Sequence, residues 1–484
     1  MFARFLAAAL IVACPATQAA QAPQAAKAPA LHPEVTRADI EAHVRFLASD
    51  ELAGRATGTP EAARAAAYLA DVLARCGVEP AGDNGTFLQA VPLHLAEAKT
   101  APELTLVARG KEEIQAVFRR DYEFSAASIA VKDLRVLVAK SADAIPKEDD
   151  PHAAILVDAF DKDARTWLEA AGHPDGRGFG LWIRAGSKSA GEERPFVAGK
   201  RGDLQRDVGS GAKAPSIKLR GPLLERFRQG EIQSLSMRSN VEERKVQAFN
   251  VVGRIAGAGL AGKPGLAKET VVVSAHYDHL PPSSEAPAEG APAKDRIYNG
   301  ADDDASGCAA VLEIAGALGA GPKPARTVVF LLATGEEEGL LGTFAYLDHP
   351  VVPLAETIAN LNVEMIGRPD PLAGGAGHLW LTGFDETDLG RACAEAELPI
   401  VADPRPAENF YQRSDNYAFV VRHVVGQTFS TYNMHEDYHH VSDEADRIDF
   451  AHMEGCTQAI LRAVRLVVDG TFRPQWTKPD GAKR

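Results

Sequence analysis

The chain has 484 residues, 45% hydrophobic and 24% charged, with 52 Lys and Arg against 66 Asp and Glu for a net charge of −14. This composition excludes disorder, collagen and coiled coil as descriptions of the whole chain, and the length asks for two domains or one domain with a large insertion. The acidic balance argues against nucleic-acid partners, whose phosphates are held by Lys and Arg, and against adsorption to anionic lipid.

In chain order, a short positive start at residues 1–4 precedes an apolar run at 5–13 and small residues at Thr17, Ala19 and Ala20. This reads as a secretory signal peptide over residues 1–20, too short to span a bilayer as a mature helix. Ile11-Val12-Ala13-Cys14 resembles a bacterial lipobox, which would place a lipid anchor on Cys14; cleavage near Ala19 or Ala20 would discard that cysteine. Either exit makes the protein secreted or periplasmic, as an outer-membrane lipoprotein in the first case. Residues 21–37 read as a disordered Ala/Pro/Gln spacer, and no other run has membrane-spanning length. Cys76, Cys308, Cys393 and Cys456 lack a C-x-x-C spacing, so a thiolate metal site is not expected and disulfide pairing is not readable.

Helical spacing covers 38–52, and Pro60 opens a second helix that Gly77 ends. From 101 to 246 the texture becomes short β-like runs among Gly-, Lys- and Arg-rich connections, with 187–213 the most loop-like part; this predicts a small β-rich inserted domain. From 247 to 470, strands alternate with helices. Strands are expected at 270–274, 327–333, 358–366, 379–382 and 424–429, and helices at 305–318, 339–347 and 450–468, followed by a tail at 471–484. Residues 38–100 would complete this domain. The fold class predicted is α/β: an α/β/α sandwich with a mixed, mostly parallel sheet plus the smaller β-rich insert.

Open α/β sheets bind ligands beyond the carboxyl ends of their strands. His276 and Asp278 follow the first of these strands, Glu336, Glu337 and Glu338 the second, and Glu364 ends the third. Asp302, Asp303 and Asp304 precede a helix in a Gly-bounded loop, and His435-Glu-Asp-Tyr-His-His440 forms a last cluster. Taken singly, each has an ordinary explanation as a cap, a solvated turn or a loop histidine. One helix cap explains one aspartate, not three. Together, the oxygen and nitrogen donors at successive strand ends point to zinc, manganese or cobalt.

Five motifs, Ser274-Ala-His-Tyr-Asp-His-Leu280, Asn299-Gly-Ala-Asp-Asp-Asp-Ala-Ser-Gly307, Thr334-Gly-Glu-Glu-Glu-Gly-Leu-Leu-Gly342, Leu361-Asn-Val-Glu-Met-Ile-Gly-Arg368 and Asp437-Tyr-His-His-Val-Ser-Asp443, resemble the M28 family of zinc peptidases, over roughly 248–470. Phe46-Leu-Ala-Ser-Asp-Glu-Leu-Ala-Gly-Arg55 resembles the N-terminal part of secreted members, and the insert sits where some members carry a protease-associated (PA) domain. The resemblance implies two zinc ions per chain, acting on peptide substrates. His276 would bind one zinc, Asp303 would bridge both, Glu337 and His439 would bind the second, and the remaining terminal carboxylate falls on Glu364, where aminopeptidases of the family usually have Asp. Glu336 would be the general base, Asp278 would orient the His276 imidazole through its other nitrogen, and Tyr438 would donate to the oxyanion. Arg413-Ser-Asp415 resembles a motif near the family's substrate pocket. The expected function is a dizinc aminopeptidase. A dizinc carboxypeptidase or other amide hydrolase, a lone-zinc cyclase and a non-catalytic receptor-like module stay open as alternatives.

Overall fold

The computed structural model describes residues 32–124, 129–159, 161–173, 176–186, 203–206, 215–283 and 295–477. The signal segment, Cys14 and most of the spacer lie outside the described residues. The main sheet contains β1 (Leu88–Ala98), β2 (Val241–Ile255), β3 (Thr270–His276), β4 (Thr327–Ala333), β5 (Thr357–Val363), β6 (Leu379–Leu381), β7 (Ile400–Ala402) and β8 (Val425–Ser430). Its order is β7-β6-β8-β5-β3-β4-β2-β1, with Asp203–Arg206 on the outer edge of β1. The strands β4, β3, β5 and β8 are mutually parallel, and antiparallel neighbours close both sides. This is the mixed α/β sheet expected, with β4 and the helix at 450–468 falling on their predicted bounds.

Strand alternation sends successive side chains to opposite faces. On one face Val271, Val273, Val328, Phe330 and Leu361 pack against α1 (Arg37–Leu47), α2 (Pro60–Arg75), α3 (Gly307–Ala320) and α5 (Phe450–Val468). On the other, Val272, Val329 and Leu331 meet α4 (Leu341–Asp348) and the short helix Asn416–Val420. All residues of β3, β4 and β5 are buried, as a doubly covered sheet requires. The helix α2 starts where the sequence says it should: the Thr59 hydroxyl accepts from the Ala62 amide, and Pro60 occupies the first turn.

A second sheet lies between Glu103 and Arg238 in the chain. Its inner strands Ala130–Ala139, Asp150–Val157, Phe179–Ala185 and Ser216–Leu219 are parallel. Helix Gly221–Arg228 covers one face through Leu224 and Phe227, and helix Asp161–Ala170 covers the other through Ala164 and Leu168. The insert is therefore sheet-centred, as expected, but helix-covered as well. Asp203–Arg206, within a stretch read as loop, is a strand that pairs with β1 of the main sheet. The four cysteines from Cys76 onward are buried and unpaired. Among the described residues no helix is long and apolar enough to cross a membrane.

Candidate metal centre

The parallel strands end at one rim, and the side chains singled out from the sequence converge there. His276 is the last residue of β3, Glu336 and Glu337 follow β4 by a short turn, and Glu364 immediately follows β5. Asp303 comes from the Ala301–Ser306 turn that feeds α3. Its two carboxylate oxygens face different histidines: Oδ1 lies 3.2 Å from His276 Nε2, and Oδ2 lies 3.2 Å from His439 Nε2. His439 Nε2 is also 3.1 Å from Glu337 Oε2. Two groups with metal-ligand spacing result, His276–Asp303–Glu364 and His279–Asp303–Glu337, sharing Asp303.

These contacts are not hydrogen bonds. His276 Nε2, His439 Nε2 and His279 Nδ1 are buried without hydrogen-bond partners, and so is Glu337 Oε1. Buried polar atoms left unpaired cost free energy, and so many lone pairs aimed at one spot are the chemistry of a cation site. Two ligands about 2.0–2.1 Å from a tetrahedral zinc lie roughly 3.3 Å apart. The separations of 3.1 and 3.2 Å match that edge. The donor set of imidazole and carboxylate, with no thiolate, fits zinc.

Electrostatics divides the carboxylates into two kinds. Burial would raise Asp303, but the His276 and His439 imidazoles hold it well below the ordinary carboxylate range. Glu337 is likewise lowered against its burial by His279 and His439. Glu336 moves the other way: burial, then Glu364, Asp415 and Glu337, push it well above its ordinary value. Burial and the negative charge of Asp303 and Asp415 push Glu364 up to about 7.

The remaining predicted residues occupy defined places. Glu336 Oε2 lies 4.0 Å from His276 Nε2, beside the donors. Tyr438 stacks on the His439 ring at 4.0 Å and lines a cleft with Glu364, Trp380, Phe410, Arg413 and Tyr432. Asp278 is near His276, but its carboxylate stops 3.8 Å from Nδ1, beyond hydrogen-bond reach. The imidazole pairs instead with the Asp278 backbone carbonyl at 3.2 Å, which leaves Nε2 free to face Asp303. The Asp278 carboxylate takes the Thr57 hydroxyl and the Glu336 amide, so it fixes the turn that carries Glu336.

The sequence reading counted Asp302, Asp304 and His435 among the clustered donors, but the donor groups leave them out and the structure gives them organising roles. Asp304 accepts from the amides of His276, Gly307 and Met365, tying together three segments of the rim. Asp302 accepts from the Gly367 amide and pairs with His435, while Asp443 receives the Asp302 and Asp303 amides. Each aspartate of the triplet thus has its own partners. Beneath them Asn362 bonds Ser274, Ser414 and Thr428 inside the sheet.

Arg55 is fully buried and donates only to backbone carbonyls: Tyr277 at 2.7 Å, Leu47 at 3.0 Å, Gly300 at 2.7 Å, Asp303 at 3.3 Å, and Asn299. It locks the loop carrying the shared aspartate to the end of β3. Each orphaned buried acceptor costs about 1–3 kcal/mol. Arg55→Ala should therefore lower the urea midpoint by several times the usual effect of a single substitution. Arg55→Lys should rescue little, because an ammonium cannot reproduce the guanidinium fork. Urea unfolding of the three proteins checks this, and equal midpoints for Lys and Arg would refute it.

Residues 250–464 match the family profile described as Peptidase family M28. A probable leucine aminopeptidase of Arthroderma benhamiae is 33% identical over 168 residues, which is 30% of this chain and 44% of that protein. A probable lipoprotein aminopeptidase, LpqL, of Mycobacterium tuberculosis is 28% identical over 174 residues, 36% of this chain and 29% of that one. The chain spans less than half the length of these curated relatives. The solved aminopeptidase from Aneurinibacillus sp. strain AM-1 superposes with a TM-score of 0.56 at 18% identity, covering 92% of this chain and 96% of that one, and this likeness shows the fold. The segment that matches peptidase family M28 contains every side chain of the converging donor set, so the part of the chain that carries the site is the part that resembles this family.

Proposed function

We propose that the protein is a dizinc exopeptidase that removes N-terminal amino acids from peptides. The observation that carries this reading is the sharing of Asp303 between two donor groups. His276, Asp303 and Glu364 would hold one zinc, and Asp303, Glu337 and His439 the other. When bound, the metals would supply an activated water and polarise the scissile carbonyl. Glu336, whose Oε2 faces the donors, takes the proton of the attacking water and returns it to the leaving nitrogen. Tyr438, on the cleft wall beside His439, offers its hydroxyl to the carbonyl oxygen as negative charge builds there. The cleft adds the aromatic faces of Trp380, Phe410 and Tyr432 for a substrate side chain.

The preference for the amino end of the peptide rests on the match to peptidase family M28 and on the aminopeptidases among its relatives. A carboxypeptidase is the second reading, favoured by Arg413, whose guanidinium carbon sits 5.0 Å from the Phe410 ring on the same cleft. We also read residues 1–20 as a signal peptide, the location as secreted or periplasmic with Cys14 as the lipid anchor if it is retained, and the inserted sheet as a PA-like unit that restricts access to the cleft.

Metal content and hydrolysis of N-blocked and unblocked di- and tripeptides test the proposal. About two zinc ions per chain, release of the first residue from unblocked peptides only, and loss of turnover on chelation restored by zinc are expected. Cleavage of N-blocked peptides would transfer the assignment to the carboxypeptidase or amidase reading. Absence of bound metal would overturn the site.

A further inference from the structure

One buried histidine at the rim is not used by the donor set proposed above. His279 follows β3 and is 2% exposed, and neither of its ring nitrogens has a hydrogen-bond partner. Its Nδ1 lies 2.7 Å from Glu337 Oε1 and 3.8 Å from Asp303 Oδ2. The short approach to Glu337 lacks hydrogen-bond geometry, since both atoms remain unpartnered. Its ring centroid is 5.7 Å from that of His439, whose Nε2 faces the other oxygen of Glu337 and the same oxygen of Asp303. Gly300 makes room for the ring: a Cβ there would come within 2.6 Å of His279 Cδ2 and Cγ. A buried imidazole with an unpaired nitrogen directed at two carboxylates is costly in the absence of a cation and satisfied by one.

We infer that His279 Nδ1 is a protein ligand of the second metal position, which is then held by four protein groups, His279, Asp303, Glu337 and His439, against three at the first, His276, Asp303 and Glu364. The inference rests on the dimetal reading. It makes the two positions unequal: the second is closed by protein and retains its ion, while the first keeps open positions for water and substrate.

The test is metal binding by the full chain loaded with cobalt(II), read without any substrate. Proton spectra of the wild-type cobalt protein should show three paramagnetically shifted, solvent-exchangeable imidazole N–H signals, one each from His276, His279 and His439. In His279→Ala one of the three should vanish. Competition with a chromogenic chelator should then show one of two ions weakened by more than about 100-fold, beyond the ~10–100-fold that loss of an outer hydrogen-bonding partner costs. Two such signals in the wild-type protein, at two cobalt ions per chain, overturn the inference and leave the exopeptidase reading standing. The wild-type count decides even if the variant fails to fold. A chain that takes up no cobalt overturns both.

Discussion

Glu336→Gln should lower kcat by about 10²–10⁴-fold, the usual share of a positioned general base, while metal content stays at the wild-type value. The amide keeps the volume of the carboxyl but cannot accept and return a proton. Glu336 is not among the grouped donors, and its amide bond to Asp278 is a backbone contact, so the substitution leaves the turn intact. The same variant carries a second expectation with a definite sign. In the metal-free protein the Glu336 carboxyl is raised far above its ordinary value near 4.5 by burial and by Glu364, Asp415 and Glu337. The native state then binds this proton more tightly than the unfolded chain, so stability falls as pH rises above about 4.5. Glu336→Gln removes that loss. Metal-free Glu336→Gln should melt above metal-free wild type at neutral pH, with the gap closing below about pH 4.5. Thermal melts in chelator across pH 4–8 check this, and a variant that melts lower at pH 7 would show that Glu336 stabilises the empty site.

The parts of the fold that were legible in the sequence are those written in local periodicity. The run Thr327–Ala333 could only be a strand covered on both faces, and Phe450–Val468 carries a helical stripe along its whole length. The convergence of these donors was legible because they sit at strand ends, where burial of hard donors has few other uses. What stayed hidden depends on groups distant in sequence. Arg55 bonds carbonyls more than 220 residues away, and no local pattern distinguishes it from a surface arginine ending a helical segment. The separate partners of Asp302 and Asp304 are likewise amides of other loops, fixed only when β5 lies beside β3. Asp278 shows the limit of motif spacing: two residues from His276 is close enough to orient it, yet the backbone carbonyl takes the ring nitrogen and the carboxylate turns to Thr57. In the insert, Lys, Arg and Gly around the short strands obscured the helices Asp161–Ala170 and Gly221–Arg228.

Asp303→Asn is expected to have the largest effect, and its signature in the metal-free protein should be opposite to that of Glu336→Gln. Asp303 offers one oxygen to each donor group, 3.2 Å from His276 on one side and 3.2 Å from His439 on the other. An amide has a single acceptor oxygen and no charge, so it cannot hold two dications together. Bound metal should drop from two ions per chain to one or none. Peptide hydrolysis should fall by about 10³-fold or more, the several kcal/mol that metal stabilisation of developing charge supplies. The backbone around it is held by Asp302, Asp304 and Asp443, so the rim should keep its shape. In the empty site, Asp303 is depressed well below its ordinary 3.8 by the histidines that face it, although burial acts against this. A depressed carboxylate contributes stability that is present above the unfolded-state value and lost as pH falls through the folded one. Metal-free Asp303→Asn should therefore melt below metal-free wild type at neutral pH, and the gap should begin to narrow as pH falls past about 3.8 and close only well below it. Two carboxylates on the same rim then respond in opposite directions to the same chemical change. The one that faces the imidazoles is expected to support the empty fold and to be required for metal binding, while the one pressed against other acids is expected to weaken the empty fold and to act in the reaction.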